Sequence, residues 1–281
     1  SEQLSGLRLH MISVTNERTI LSRVPWSDEL IMKRAGPRDR SSYVCRRKCA
    51  AIGRGMSKNM IEMPDELRMP DMANKPYVVD QCWRSPQKRH CSKYEIASFK
   101  YVWGFIHEVR RFLEAGLQQM PQYWMLKDDD TYVHIDHMMD AIKRRGGAKP
   151  PFDPLVTRMA WASSGPCFVC GGAGLVLTGA LAVELATTYA DRWMLDQRDG
   201  IEHRSFYWDT HMPTVISWVA GATIVRIPEM TPFSVVEARI CRHRPGCLRV
   251  AECDCAPAPK MATWHMTVSF NGSVKILQKI P

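Results

Sequence analysis

An apolar run at Tyr123–Leu126 stops abruptly at Lys127, Asp128, Asp129 and Asp130. Three adjacent carboxylates raise one another's pKa unless a cation intervenes. If the segment stays extended, Asp128 and Asp130 point to the same side. Oxygen donors two residues apart suit a hard cation such as magnesium or manganese, which keeps several waters and shares its site with phosphates. The end of a strand is also where open α/β sheets bind ligands. A solvated acidic loop or a helix N-cap would use the same residue types, and spacing alone does not choose among these readings.

Other residues add chemistry farther along the chain. Gly171, Gly172 and Gly174 admit either a close approach of backbone to a ligand or a tight strand bend. Trp161, Trp208 and Trp218 offer faces for stacking on a sugar ring, although a core role is expected for at least two of them. The chain carries ten cysteines. Their even number fits a disulfide-bearing secretory protein. The rival reading is zinc, from the Cys167–Cys170 spacing and the cluster Cys241, Cys247, Cys253 and Cys255. Asn271-Gly272-Ser273 reads both as a glycosylation sequon and as a hairpin turn. There is no GxGxxG, no Walker loop and no Ser/His/Asp order.

The elements that must position these residues follow from periodicity and capping. Ser92 and Glu95 form a capping box. Ile96, Phe99, Trp103, Ile106, Val109, Leu113 and Leu117 then fall on one helical stripe, which Gly116 and Pro121 end. Leu7–Val14, 76–80, Tyr123–Leu126, Cys167–Cys170, Leu175–Leu177 and Thr223–Ile227 are strand-like. Helices are expected up to Arg145, over Ala180–Met194 behind Thr178 as its cap, and within Thr210–Val219. Residues 34–75 show little periodicity and predict an irregular insertion. Residues 241–281 form a Cys-rich C-terminal segment. Alternating strands and helices predict an α/β fold in a single domain over 1–281. The net charge of +9 suits a nucleic acid, an anionic membrane surface or a phosphorylated small molecule as partner. No apolar stretch reaches the length of a membrane span.

Ser98–Lys100, Phe112–Gly116 and Tyr123–Val133 together resemble glycosyltransferase family 31, the Fringe and core 1 galactosyltransferases. There a helix leads to an aromatic-rich strand, then to three aspartates and a Thr/Asn-Tyr-Val segment. Cys170–Leu177 resembles that family's Gly-Gly-Ala-Gly segment. Trp208–Thr210 resembles a later acidic segment, but Trp208 stands where the family has an acid and Pro213 where it has a small residue. Thr263–Met266 resembles the strand ending in a metal-binding histidine. The match runs over about residues 95–230.

The resemblance implies a GT-A, Rossmann-like nucleotide-sugar-binding fold with a mixed central sheet flanked by helices. It implies a UDP-sugar donor, Mn2+ or Mg2+, a glycan or glycoprotein acceptor, and inverting transfer of a hexose in β1,3 linkage. It assigns the metal to Asp128, Asp130 and His265. It assigns the donor to Asp128, Asp129, Gly171, Gly172 and Gly174, and the general base to Asp209. It further implies a Golgi-luminal type II membrane protein, anchored through an N-terminal segment outside this chain. Two alternatives stay open: an inactive relative acting as chaperone or binding module, and a basic, zinc-stabilised nucleic-acid-binding protein.

Overall fold

The structure, a computed structural model, describes residues 8–53, 55, 59–69, 71, 77–78, 93–145, 152–163, 169, 171–202, 208–230 and 262–265. The first half runs β1 (Leu9–Val14), α1 (Ile20–Leu30), β2 (Asp39–Arg46), α2 (Arg47–Gly53) and β3 (Met60–Met63), followed by a two-stranded ribbon, β4 (Glu66–Leu67) and β5 (Tyr77–Val78). A long helix, α3 (Lys93–Ala115), leads to β6 (Tyr123–Asp128), β7 (Thr131–Val133), α4 (Ile135–Arg145) and β8 (Met159–Ser163). The remainder is β9 (Leu175–Thr178), α5 (Gly179–Thr187), α6 (Ala190–Glu202), α7 (Trp208–Ser217), β10 (Thr223–Ile227) and β11 (Thr263–His265).

Seven strands form one mixed sheet in the order β10-β8-β9-β6-β1-β2-β3. β1 is parallel to β2 on one side and to β6 on the other. The chain therefore builds outward from β1 to β3, then returns across the sheet to start again at β6. β9 runs antiparallel to both β6 and β8. The fold is α/β with a mixed central sheet flanked by helices, as the alternation of elements predicts.

Side chains of β6 alternate between two cores, as a pleated strand buried on both faces requires. Trp124 and Leu126 join Phe99, Phe105, Val109, Leu181 and Trp193 from α3, α5 and α6. Tyr123 and Met125 join Trp26, Met138 and Ile142 from α1 and α4. Asp128 has the parity of the α3 face and Lys127 that of the opposite face. α3 itself has its apolar stripe turned inward, and Gly116, at φ 108°, ends it; Leu117, expected on that stripe, lies past this end in a 3-10 turn and is exposed. Ser92, the expected cap, lies outside the described residues.

Three expectations need correction. Residues 34–75 are not an irregular insertion: β2 and β3 are strands of the central sheet. The inward positions of β2 include Ser41 and Ser42, so no apolar period marks it. Ser42 is satisfied inside the core instead, 3.0 Å from His10 Nε2 and donating to Glu108 at 3.2 Å. The helix expected over Ala180–Met194 is two helices, α5 and α6, interrupted at Thr188 and Tyr189. Thr178 does cap the first, accepting from Leu181 N–H at 3.4 Å. The helix expected within Thr210–Val219 begins earlier, at Trp208.

Candidate functional site at the acidic turn

Val14 stands opposite Asp128 in the register of β1 and β6, so both strands end at the same level. Here the order of the sheet reverses, because β1 is followed by β2 on one side and β6 lies on the other. In open α/β sheets the crevice beyond such a switch point is the standard place for a ligand. Asp129 and Asp130 form a tight turn into β7, so the acidic segment is not extended through all three aspartates. The turn sends the carboxylate of Asp128 towards α3 and that of Asp129 towards α1.

Asp128 faces α3. Its Oδ1 accepts a hydrogen bond of 2.5 Å from the phenol of Tyr101, which also lies 2.8 Å from the carbonyl of Lys127. Burial first, then the neighbouring Asp128, pushes the Tyr101 pKa well up, so the phenol remains a donor at neutral pH. Asp129 turns towards α1 and is 4% exposed. Its Oδ2 accepts from the Thr19 hydroxyl at 2.8 Å, and its Oδ1 pairs with the Arg23 guanidinium. Thr19 and Arg23 stand four residues apart, one helical turn, so both reach the same carboxylate. The same Arg23 Nη1 lies 3.3 Å from Asp130 Oδ2.

Lys127 is completely buried behind the turn. Its ammonium donates to the carbonyls of Asp128 and Thr131, each at 3.3 Å, and so ties the two ends of the turn together. Burial lowers its pKa to about 8, against the pull of Asp129, Asp130 and Asp128. Lys100, also lowered chiefly by burial, donates to the carbonyl of Thr15 at 3.0 Å, just past the end of β1. Arg23 thus pairs with carboxylates of the turn, while Lys100 and Lys127 donate to backbone carbonyls around it.

The other expected residues are placed as follows. Gly171 and Gly172 lie in a short 3-10 turn, and the Thr131 hydroxyl donates to the carbonyl of Gly172 at 3.1 Å. Gly174 has φ +82°, and a Cβ there would run into Met125 Cε. Its glycine is thus explained by the bend into β9. β11 pairs antiparallel with β7 and sets the backbone of His265 opposite Thr131, next to Asp130. Asp209 lies in the first turn of α7 with Oδ1 accepting from Thr210 N–H at 2.9 Å. Its neighbour Trp208 is tilted against Tyr101, with ring centroids 4.3 Å apart. A chain of contacts therefore runs from Asp128 through Tyr101 and Trp208 to the start of α7. Trp161 and Trp208 are buried, and the Arg192 guanidinium covers Trp218 at 4.0 Å.

Among the described residues, no three His, Cys, Asp or Glu side chains converge to hold a metal ion. Arg23 and Thr19 draw Asp129 one way while Tyr101 holds Asp128 the other. Cys45 and Cys49 are buried free thiols; the other eight cysteines, and Asn271 with its flanking hairpin, lie outside the described residues. Among the described residues no helix is long and apolar enough to cross a membrane.

No protein-family model and no curated protein matches the chain. Among solved structures the chain is similar to a glycosyltransferase involved in the glycosylation of the major capsid of PBCV-1, at 12% identity and TM-score 0.48, over 96% of this chain and 99% of that one. It is also similar to the galactosyltransferase LgtC, solved in complex with donor and acceptor sugar analogs, at 10% identity and TM-score 0.47, over 97% of each chain. Likenesses this shallow leave function to be argued from the chain's own residues, and no family model supports the resemblance to glycosyltransferase family 31.

Tyr101, Arg23, Thr19 and Lys127 escaped the reading of the sequence. Lys127 carried a signal, since it continues an apolar strand directly into the aspartates. Arg23 carried none, being 106 residues from Asp129.

Proposed function

We propose that the chain is a glycosyltransferase that moves a hexose, galactose or N-acetylglucosamine, from a UDP-sugar to a glycan or O-linked glycoprotein, using Mn2+ or Mg2+. One observation carries this reading: the turn Asp128–Asp130 lies at the switch point between β1 and β6, at the carboxyl ends of both strands.

The donor set fits a hard dication. Magnesium-type sites use one or two carboxylates and leave the remaining places to water and substrate phosphates, so a closed three-ligand cage is not required. Asp128 and Asp130 would hold the ion, with His265 as the imidazole that shifts preference towards manganese. Such an ion neutralises the charge that builds on a departing diphosphate. Tyr101 orients Asp128, Lys127 fixes the turn, and Thr19 with Arg23 fastens Asp129 to α1. Gly171 and Gly172 bring backbone beside the turn. Asp209 takes the proton from the acceptor hydroxyl as that oxygen attacks the anomeric carbon, which gives inversion in one displacement. The β1,3 linkage, the Golgi lumen and an N-terminal anchor are proposed with it, from the motif resemblance.

The test is retention of UDP on the purified protein. We expect binding with Mn2+ or Mg2+ that excess chelator abolishes, together with Mn2+-dependent hydrolysis of one member of a UDP-sugar panel. Equal UDP binding in chelator would remove the metal role. A second reading, an inactive relative that only binds, is favoured by a specific observation: Arg23 already pairs with Asp129 and Asp130. Dication-dependent UDP binding without hydrolysis or transfer would select it.

A further inference from the structure

Asp129 and Asp130 are adjacent, yet α1 treats them differently. Asp129 is held at both oxygens, by Thr19 and by Arg23. Asp130 lies farther from the same Arg23 nitrogen, at 3.3 Å. The Arg23 side chain is 27% exposed, whereas Lys127 is completely buried. Of these two cations at the turn, the guanidinium is therefore the one open to solvent.

We infer that Arg23 is a built-in counter-cation of the acidic turn, which a divalent ion must displace from Asp130, so that this one side chain sets the affinity of the site for metal. The inference rests on the proposed role of Asp128 and Asp130. Its physical content is a competition. A guanidinium and a dication cannot both neutralise one carboxylate oxygen at contact distance, because like charges a few ångströms apart repel strongly in a partly buried site. While Arg23 stays, the metal-free turn is stable and binds metal weakly. Its contact with Asp129 offers the guanidinium a place to remain once Asp130 is taken. The exchange moves a side chain without moving the backbone of the turn, which Lys127 holds from below.

The experiment is calorimetric titration of the metal-free full chain with MnCl2 alone, for the wild type, Arg23→Gln and Asp130→Asn, alongside thermal melts without metal. Arg23→Gln should bind Mn2+ about tenfold tighter than the wild type, while its metal-free melting temperature falls. Equal or weaker Mn2+ binding by Arg23→Gln, with binding lost in Asp130→Asn, overturns the competition and leaves the site itself standing. Wild-type binding by Asp130→Asn, or no binding by any of the three, overturns both. A second measurement needs no substitution. In the wild type, the Nε–H resonance of Arg23 should shift and exchange faster with water as Mg2+ is added, and an unmoved resonance at saturating Mg2+ overturns the inference.

Discussion

The phenol of Tyr101 donates to Asp128 Oδ1 from α3, a helix that packs many apolar side chains against the sheet. This bond gives the first aspartate of the turn one orientation, and the same ring packs against Trp208. The strand end and the start of α7 are thereby fixed to a common side chain.

Tyr101→Phe should keep the packing against Trp208 and lose the phenol's contacts with Asp128 and the Lys127 carbonyl. Stability should fall by about 1–2 kcal/mol, as for a hydrogen bond to a charged group that is partly solvated. UDP affinity in Mn2+ should fall about tenfold, read by calorimetry. Unchanged affinity would mean that the orientation of Asp128 is irrelevant to the donor.

Asp209→Asn should bind UDP as the wild type does and lose turnover by about a hundredfold or more, the usual contribution of a positioned base. Comparing the UDP dissociation constant with the initial rate in one preparation separates the two. Near-normal turnover would return Asp209 to a helix-start role, which its bond to Thr210 N–H already supports.

Lys127 makes stability depend on pH in an unusual direction. Burial lowers its pKa to about 8, whereas the unfolded chain holds the proton up to the ordinary value of 10.5. Between those values the unfolded state binds more protons, so stability rises with pH. Tyr43, pushed up by burial, acts the opposite way above its ordinary value of 10.0, which limits the window to pH 8–10. Relative to Lys127→Met, the wild type should gain about 2 kcal/mol across that window in urea melts, an order-of-magnitude figure. Parallel profiles would show that Lys127 is not buried as an ammonium.

Gly174→Ala should destabilise by about 1–3 kcal/mol, because an L side chain at φ +82° is strained and its Cβ meets Met125. A shift in the denaturation midpoint with unchanged slope is the expected readout. No loss of stability would show that the bend into β9 adjusts freely.

Much of this architecture was legible in the sequence, and the failures have physical reasons. The helix Lys93–Ala115 announces itself because its buried face is apolar at helical spacing and Gly116 ends it. β6 announces itself because the apolar run ends at charge. β2 does not, because Ser41 and Ser42 occupy inward positions, and Ser42 is satisfied by His10 and Glu108, far away in sequence. The aspartates were visible as a group, but their separate partners were not. Tyr101 looked like one more aromatic on a helix, and the pairing of Arg23 with Asp129 depends on a crossing of the sheet that no local pattern encodes.

The pairing of β11 with β7 has a consequence for biosynthesis. Residues 123–133 carry every aspartate of the turn, yet their ribbon partner, Thr263–His265, is made more than a hundred residues later. A nascent chain thus displays the carboxylates, with Arg23 already available from α1 to cover them, long before the strand beside Asp130 exists. Translation that stops short of Ala262 includes the residues of all seven strands of the central sheet but lacks the strand that pairs with β7 beside the aspartates.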